Sequence, residues 1–226
     1  MEPIHFTSVI VPAFNSELFI GRCLRSLLHQ SVNHDSFEII IIDDGSQDRT
    51  AFAISQFCDP YESLIKVITN DTNIGLPASL NKGILASKGE YVVRVDSDDY
   101  VSKHFIEFLR FYLDSNESAG AVACDYVIIN EKENIISRFD ASKMPVGCGI
   151  MFHKKQLVDS GLYDPEFLCH EDRELRFRFK KKYNIEHLRL PLYRYREHKN
   201  GISKNNELMQ HYKQKLISKH GPKAAF

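Results

Sequence analysis

The chain has 226 residues, 43% of them hydrophobic, which is enough for a sizeable core and fits one compact unit better than a string of modules. Its 29 lysines and arginines meet 30 aspartates and glutamates, a formal charge of -1, so no global basic field exists to hold nucleic acid. The five cysteines are odd in number, scattered and without a C-x-x-C pair, which argues against a disulfide framework and against a zinc site and fits buried thiols in a reducing compartment.

The opening "MEPIHFTSVIVPAFN" has no basic leader followed by a long apolar segment, and no run approaches the roughly 18 apolar residues of a membrane span. The expectation is a cytoplasmic chain, at most peripheral at the inner face of a membrane. Within that opening, "TSVIVPAF" reads as the first strand. "SELFIGRCLRSLLHQ" follows with Ile20, Leu24, Leu27 and Leu28 at helical spacing and Arg22 and Arg25 facing away. "FEIIIID" is a second strand, a helix starts near Arg49, "LIKVIT" is another strand, "LPASLNKGILAS" another helix, and "YVVRVD" a strand again. The β-branched, nearly continuous apolar character of "TSVIVPAF", "FEIIIID" and "YVVRVD" suits burial on both faces of a sheet. Strands alternating with helices predict an α/β fold with right-handed crossovers and a Rossmann-like, mostly parallel central sheet with helices on both faces.

Ligands of such sheets bind beyond the carboxyl ends of the strands. That rule gathers three polar turns into one crevice: Asn15 and Ser16, then Asp43 and Asp44, then Asp96 to Asp99. After residue 120 the pattern changes to "GAVACDYVIIN", a turn at "EKEN" and then "CGIMFHKKQL", which reads as a smaller antiparallel region forming the second wall of the cleft. Residues 1–226 therefore read as a single domain, with a ligand-binding half at 1–100, a second half at 101–206 and an amphipathic, mildly basic tail at 207–226. A solvated terminal helix is the simpler account of that tail, and membrane docking the alternative.

Asp96, Asp98 and Asp99 crowd three like charges into four residues. Left alone they would raise one another's pKa values, and a divalent cation relieves the conflict. Oxygen ligands suit Mg²⁺ or Mn²⁺, ions usually shared between one or two carboxylates and substrate phosphates, so the cluster implies a phosphorylated ligand. The competing account makes Asp98 or Asp99 turn and N-cap residues before "SKHFIEFLRFYL". In "IIIIDDGS", Asp44 is placed to accept an N–H from a base such as uracil, or else to cap the next helix while Gly45 supplies a positive φ. Glu171 and Asp172 in "HEDRELRFRF" precede a helix whose dipole alone would favour them. In "YRYREH", alternation puts Arg194, Arg196 and His198 on one strand face, able to grip a diphosphate, and Tyr193 and Tyr195 on the other; a solvated edge strand is the rival reading. His153, His170 and the aromatic run "FIEFLRFYL" read as structural or surface groups.

Taken together, "VIVPAFN" at 9–15, "IIDDGSQDRT" at 41–50, "NIG" at 73–75, "LNKGILASKGEYVVRVDSDD" at 80–99, "HED" at 170–172 and "LYRYREH" at 192–198 resemble the family 2 inverting nucleotide-sugar glycosyltransferases, with their GT-A type fold. The resemblance runs in order over about 190 residues. It implies that Pro12 and Asp44 line the nucleotide base and that Asn15 and Lys82 belong to the donor site. By the same resemblance Asp96 lies near ribose or metal, Asp98 is the principal metal-facing carboxylate with Asp99 as a further ligand or partner, and His198 turns toward metal or diphosphate. Asp172 takes the place of the general base, which deprotonates an acceptor hydroxyl as it attacks the sugar opposite the diphosphate. A single displacement of this kind inverts the anomeric centre, unlike a glycosidase with its paired acid and base or nucleophile.

The likeness implies a uridine diphosphate sugar as donor, a saccharide or lipid-linked saccharide as acceptor, and surface polysaccharide assembly as the setting. "FDASKMPVGCG" is a candidate mobile cover. Two departures stand out. Leu80 occupies the place where many relatives carry Arg, with Lys82 as the nearby base, and the absence of Trp and of a Q-x-x-R-W motif implies one sugar per binding event. A sugar-phosphate nucleotidyltransferase would need a Gly-rich loop where this chain has "VPAFNSE", and a silent nucleotide-sugar-binding module would not need the full acidic set.

Overall fold

The computed structural model describes residues 6–198 and 205–225, so the reading of residues 1–5 as lacking a leader lies outside it. The first half alternates as expected: β1 (Thr7–Ala13), α1 (Ile20–Leu28), β2 (Phe37–Asp43), α2 (Thr50–Cys58), β3 (Ile65–Thr69), α3 (Leu76–Ala86) and β4 (Tyr91–Arg94). β1, β2 and β4 are buried along their whole length, which is why their sequences show no polar alternation. In α1 the buried stripe is Ile20, Cys23, Leu24, Leu27 and Leu28, at the spacing the sequence predicts. α3 lies so close to the sheet that a Cβ on Gly83 would stand 2.5 Å from Ile42 Cδ1 and 2.8 Å from Ile10 Cγ2.

The second half adds β5 (Tyr100–Val101), α4 (Phe105–Asp114), β6 (Ala119–Ile129), β7 (Ile135–Phe139), β8 (Ile150–His153), α5 (Lys154–Asp159), α6 (Glu171–Phe179), β9 (Asn184–Arg196) and α7 (Asn206–His220). The strands form one sheet in the order β3-β2-β1-β4-β8-β6-β9-β5, with β7 on β6. β1, β2, β3 and β4 are mutually parallel where they pair; β8 joins β4 and β6 antiparallel, and β7 and β5 are antiparallel to their neighbours. The pairing of β6 with β9 is parallel, a difference from the purely antiparallel second wall read from sequence. It arises because α5 and α6 intervene before β9 and give the chain a crossover long enough to return in the same direction.

Two further differences concern the C-terminal segments. β9 runs between β6 and β5, so "YRYREH" is not an edge strand. α7 does not lie free in solvent: Tyr212 and Leu216 pack with Phe167, Cys169 and Ala224 against the second wall. Among the described residues no helix is long and apolar enough to cross a membrane.

Candidate active site

The three polar turns do meet beyond the strand ends. Ser16 Oγ lies 2.8 Å from Ser97 Oγ, Asn15 N donates to Ser46 Oγ at 3.0 Å, and Asn15 Oδ1 accepts from Gln47 N at 2.9 Å. Asn15 takes a left-handed φ of 49°, which an Asn side chain bonded to nearby backbone tolerates. Pro12 is buried opposite Ile42 in the β1–β2 register.

Asp44 is buried and pins the loop that enters α3. Its Oδ1 accepts from Asn70 Nδ2 at 2.8 Å and Ile74 N at 2.9 Å, and its Oδ2 accepts from Gly75 N at 3.0 Å. A carboxylate has about four acceptor sites, so one remains for a ligand N–H. Asp44 does not cap α2. The N-cap is Arg49, and Asp48 just before it accepts from Thr50 N at 2.9 Å, while Gly45 supplies the positive φ of 71°. Lys82 Nζ donates to Asn70 Oδ1 at 2.6 Å, behind Asp44. Leu80 is fully buried in the core with Ile10, Ile42 and Ile84, so that position cannot present a base to a nucleotide here.

At the β4 end each aspartate has a different partner. Asp96 is held in the fork of Arg94, Oδ1 to Nε at 2.5 Å and Oδ2 to Nη2 at 3.0 Å. Asp98 Oδ2 meets His198 Nε2 at 2.8 Å, a contact that raises the imidazole's pKa by favouring its charged form. Asp99 accepts from Tyr193 Oη at 2.7 Å and Arg196 N at 2.7 Å. Neither Asp98 nor Asp99 caps α4, whose N-cap is His104. Burial, Asp98 and Asp96 push the Asp99 carboxyl well up, and among the described residues no side-chain cation bonds it. This crowding of carboxyl oxygens, with an imidazole nitrogen that could join them once its proton is given up, fits Mn²⁺ or Mg²⁺. Cys148 Sγ lies within 4.8 Å of the Asp96 and Asp99 oxygens, but burial raises its pKa well up and a neutral thiol is a poor ligand.

Arg196 belongs to this corner. Its Nε donates to the carbonyl of Asp98 at 2.9 Å and its Nη2 to Glu133 Oε1 at 3.1 Å. Arg194 instead turns back to the carbonyl of Pro191 at 2.5 Å. Tyr193, expected on the opposite strand face, reaches the aspartates from inside: its hydroxyl donates to Asp99 and accepts from Asp96 N at 3.0 Å.

Glu171 and Asp172 form the first turn of α6. Glu171 Oε1 accepts from Arg94 Nη1 at 2.8 Å, and Asp172 Oδ2 accepts from Arg176 Nη1 at 2.5 Å. Burial alone would raise Asp172, but Arg176 and Arg94 outweigh it and hold the carboxyl below its usual range. The segment 139–149, read from sequence as a candidate cover, lies against it: Val146 O accepts from Arg176 at 3.2 Å, and a Cβ on Gly147 would stand 2.7 Å from Asp172 Cβ. Arg94, Tyr193 and Arg176 were not singled out as site residues in the sequence. Arg94 and Asp96 at i, i+2 and Asp172 and Arg176 at i, i+4 were signals available for two of them.

A second acidic group, Asp125, Asp140 and His187, is already neutralised from within, since Asp125 accepts from Arg138 at 3.1 Å and from His187 at 2.6 Å. His153 packs edge-on against Tyr91, and His170 precedes α6 with a ring nitrogen 3.2 Å from the carbonyl of Met209.

Residues 8–172 match the sequence pattern described as "Glycosyl transferase family 2". The chain belongs to this family. Among curated relatives it is 32% identical over 141 residues to "Probable glycosyltransferase YdaM" of Bacillus subtilis, covering 62% of this chain and 34% of that one. It is 39% identical over 116 residues to "Poly(ribitol-phosphate) beta-glucosyltransferase" of Bacillus spizizenii, covering 51% and 18%. The chain thus spans about a third or less of these family 2 relatives. Among solved structures, S. aureus TarS 1-349 in complex with UDP-GlcNAc superposes with a TM-score of 0.77 at 20% identity, over 97% of this chain and 70% of that one. Mannosyltransferase PcManGT from Pyrobaculum calidifontis, in complex with GDP-Man and Mn2+, gives 0.75 at 16% identity, over 96% and 65%. At these identities the superpositions establish the GT-A type fold, and the family 2 assignment rests on the sequence match.

Proposed function

We propose that the chain moves one sugar from a nucleotide diphosphate sugar, with uridine diphosphate as carrier, to a hydroxyl of a saccharide or lipid-linked saccharide, with inversion and without processive elongation. The observation that carries this reading is the meeting of the two walls: one guanidinium, Arg94, touches both Asp96 of the aspartate turn and Glu171, the neighbour of Asp172. Candidate cation ligands and candidate base therefore face one corner. The relatives whose names include glycosyl transfer to poly(ribitol-phosphate), and the fold neighbours solved with UDP-GlcNAc or with GDP-Man and Mn2+, support the same donor chemistry.

In this reading Pro12, Asn15, Asp44 and Lys82 line the nucleotide, and Asp98 and His198 would hold Mn²⁺ or Mg²⁺, with Asp99 beside them and Asp96 joining only through an oxygen released by Arg94. Such an ion supplies neutralisation of the charge that builds on the departing diphosphate. Arg196, and Arg194 after leaving Pro191, add cationic donors there. Asp172 is ionised at neutral pH because Arg176 and Arg94 stabilise its charge. With Oδ2 engaged by Arg176, Oδ1 is the atom that takes the acceptor's proton. Arg176 orients this base and also weakens it, so proton transfer has to follow bond formation closely, when the attacking oxygen has become acidic.

The test is a thermal-shift series with UDP, GDP and dTDP, each with and without Mn²⁺, followed by transfer assays on two variants. UDP with Mn²⁺ should raise the melting temperature. Asp98→Ala should abolish the metal-dependent part, and Asp172→Asn should keep it while transfer falls by about 10²–10⁴-fold. Absence of a metal-dependent shift with every nucleotide would overturn the proposal.

A further inference from the structure

We propose that Arg94 is a positioning residue that fixes α6, and with it Asp172, relative to the aspartate turn; this rests on the function proposed above. Arg94 is the last residue of β4, where the parallel half of the sheet meets antiparallel β8. Its Nε and Nη2 take both oxygens of Asp96, at 2.5 and 3.0 Å, and its Nη1 takes Glu171 Oε1 at 2.8 Å. Its backbone carbonyl accepts from Gly149 N at 3.3 Å, and a Cβ on Gly147 would stand 3.2 Å from Nη1. One planar group is therefore packed between three pieces of chain: the aspartate turn, the cover segment and the first turn of α6.

The side chains of Arg94 and Glu171 are 9% and 10% exposed, so water does not replace this bridge when it is cut. A guanidinium offers its donors in a rigid plane, which translates the position of Asp96 into a position for Glu171; a lysine ammonium reaches one partner or the other. The partners lie next to the residues assigned to the chemistry, Asp98 two positions after Asp96 and Asp172 one after Glu171. Asp96 has both oxygens on Arg94, which leaves Asp98, His198 and Asp99 as the less committed ligands. The bridge thus relates the donor wall to the base without itself touching the reacting atoms.

Three variants of the full chain, Arg94→Lys, Glu171→Gln and the double variant, test this in two ways. Without any ligand, amide hydrogen exchange in residues 171–176 should accelerate at least tenfold in each single variant while β1 and β2 keep parent protection. With donor and acceptor, Arg94→Lys should bind UDP with Mn²⁺ within about threefold of the parent, yet turn over about 100-fold more slowly, the loss expected from misplacing a base by about 1 Å. The double variant should be no slower than the worse single one, because both changes cut the same bridge. Unchanged exchange at 171–176, parent-rate transfer by Arg94→Lys, or losses that multiply would each overturn the positioning role. A parent chain that binds no nucleotide would instead defeat the proposed function, and the ligand-free exchange would still decide the role of Arg94.

Discussion

The phenol of Tyr193 bonds both ends of the aspartate turn, donating to Asp99 and accepting from Asp96 N, with its ring fully buried. Tyr193→Phe keeps the ring and removes both contacts. Leaving Asp99 with one donor fewer should cost about 1–3 kcal/mol in urea denaturation and weaken Mn²⁺-dependent UDP binding in calorimetry. Unchanged stability and affinity would show that the turn holds itself. Asp44, Asp96, Asp98 and Asp99 stand out in the sequence because carboxylates at the ends of apolar strands are unusual, whereas the roles of Asp172 and His198 come only from the family resemblance. Their partners were not legible. Period-two alternation placed Tyr193 away from the aspartates, and nothing in the composition says that a buried strand residue can reach a turn 94 positions earlier. Leu80 marks a different case: it stands where the resembling family often carries Arg, and the structure seats it in the core.

α7 is fastened to α6 by a buried carboxylate. Glu174, fully buried, accepts from Arg178 of its own helix and from Lys219 at 2.9 Å and His220 at 2.8 Å. Burial would raise Glu174, but the bonds from Arg178, Lys219 and His220 outweigh it and bring the pKa from 4.5 to about 2. A depressed carboxylate stabilises the fold above its ordinary pKa, and that stabilisation disappears as pH falls from 4.5 toward about 2. By this linkage Glu174→Gln should lose up to about 3 kcal/mol at pH 7, with the deficit narrowing below pH 4.5 in denaturant titrations. A deficit that stays constant with pH would assign the cost to packing. Most helices were readable in the sequence, but α5 was not: its residues Lys154 to Leu157 were assigned to the antiparallel run "CGIMFHKKQL". The docking of α7 was not readable either, because Glu174 looks in sequence like any exposed helical acid.

Across the whole molecule one sheet joins both walls, and polar links cross between them, among them Arg94 to Glu171, Asp99 to Tyr193 and Asp98 to His198. The two halves should therefore unfold together, so that exchange protection in β1–β2 and in β6–β9 is lost with the same dependence on denaturant. Separate midpoints would show two units. The parallel half was legible because fully buried strands have a recognisable composition. The parallel β6–β9 pair was not, since register between strands about 65 residues apart is set by what intervening helices permit.

Chain direction reverses at the seam of β4 and β8, where Tyr91 faces His153, Val92 faces Phe152 and Val93 faces Met151. Exchanging everything downstream of that seam with the corresponding part of a relative is a natural way to build chimeras with altered acceptor choice. A graft would succeed only if it brought matching counterparts of Glu171 and Tyr193, because Arg94 and Asp99 would otherwise each lose a partner at the centre of the hybrid.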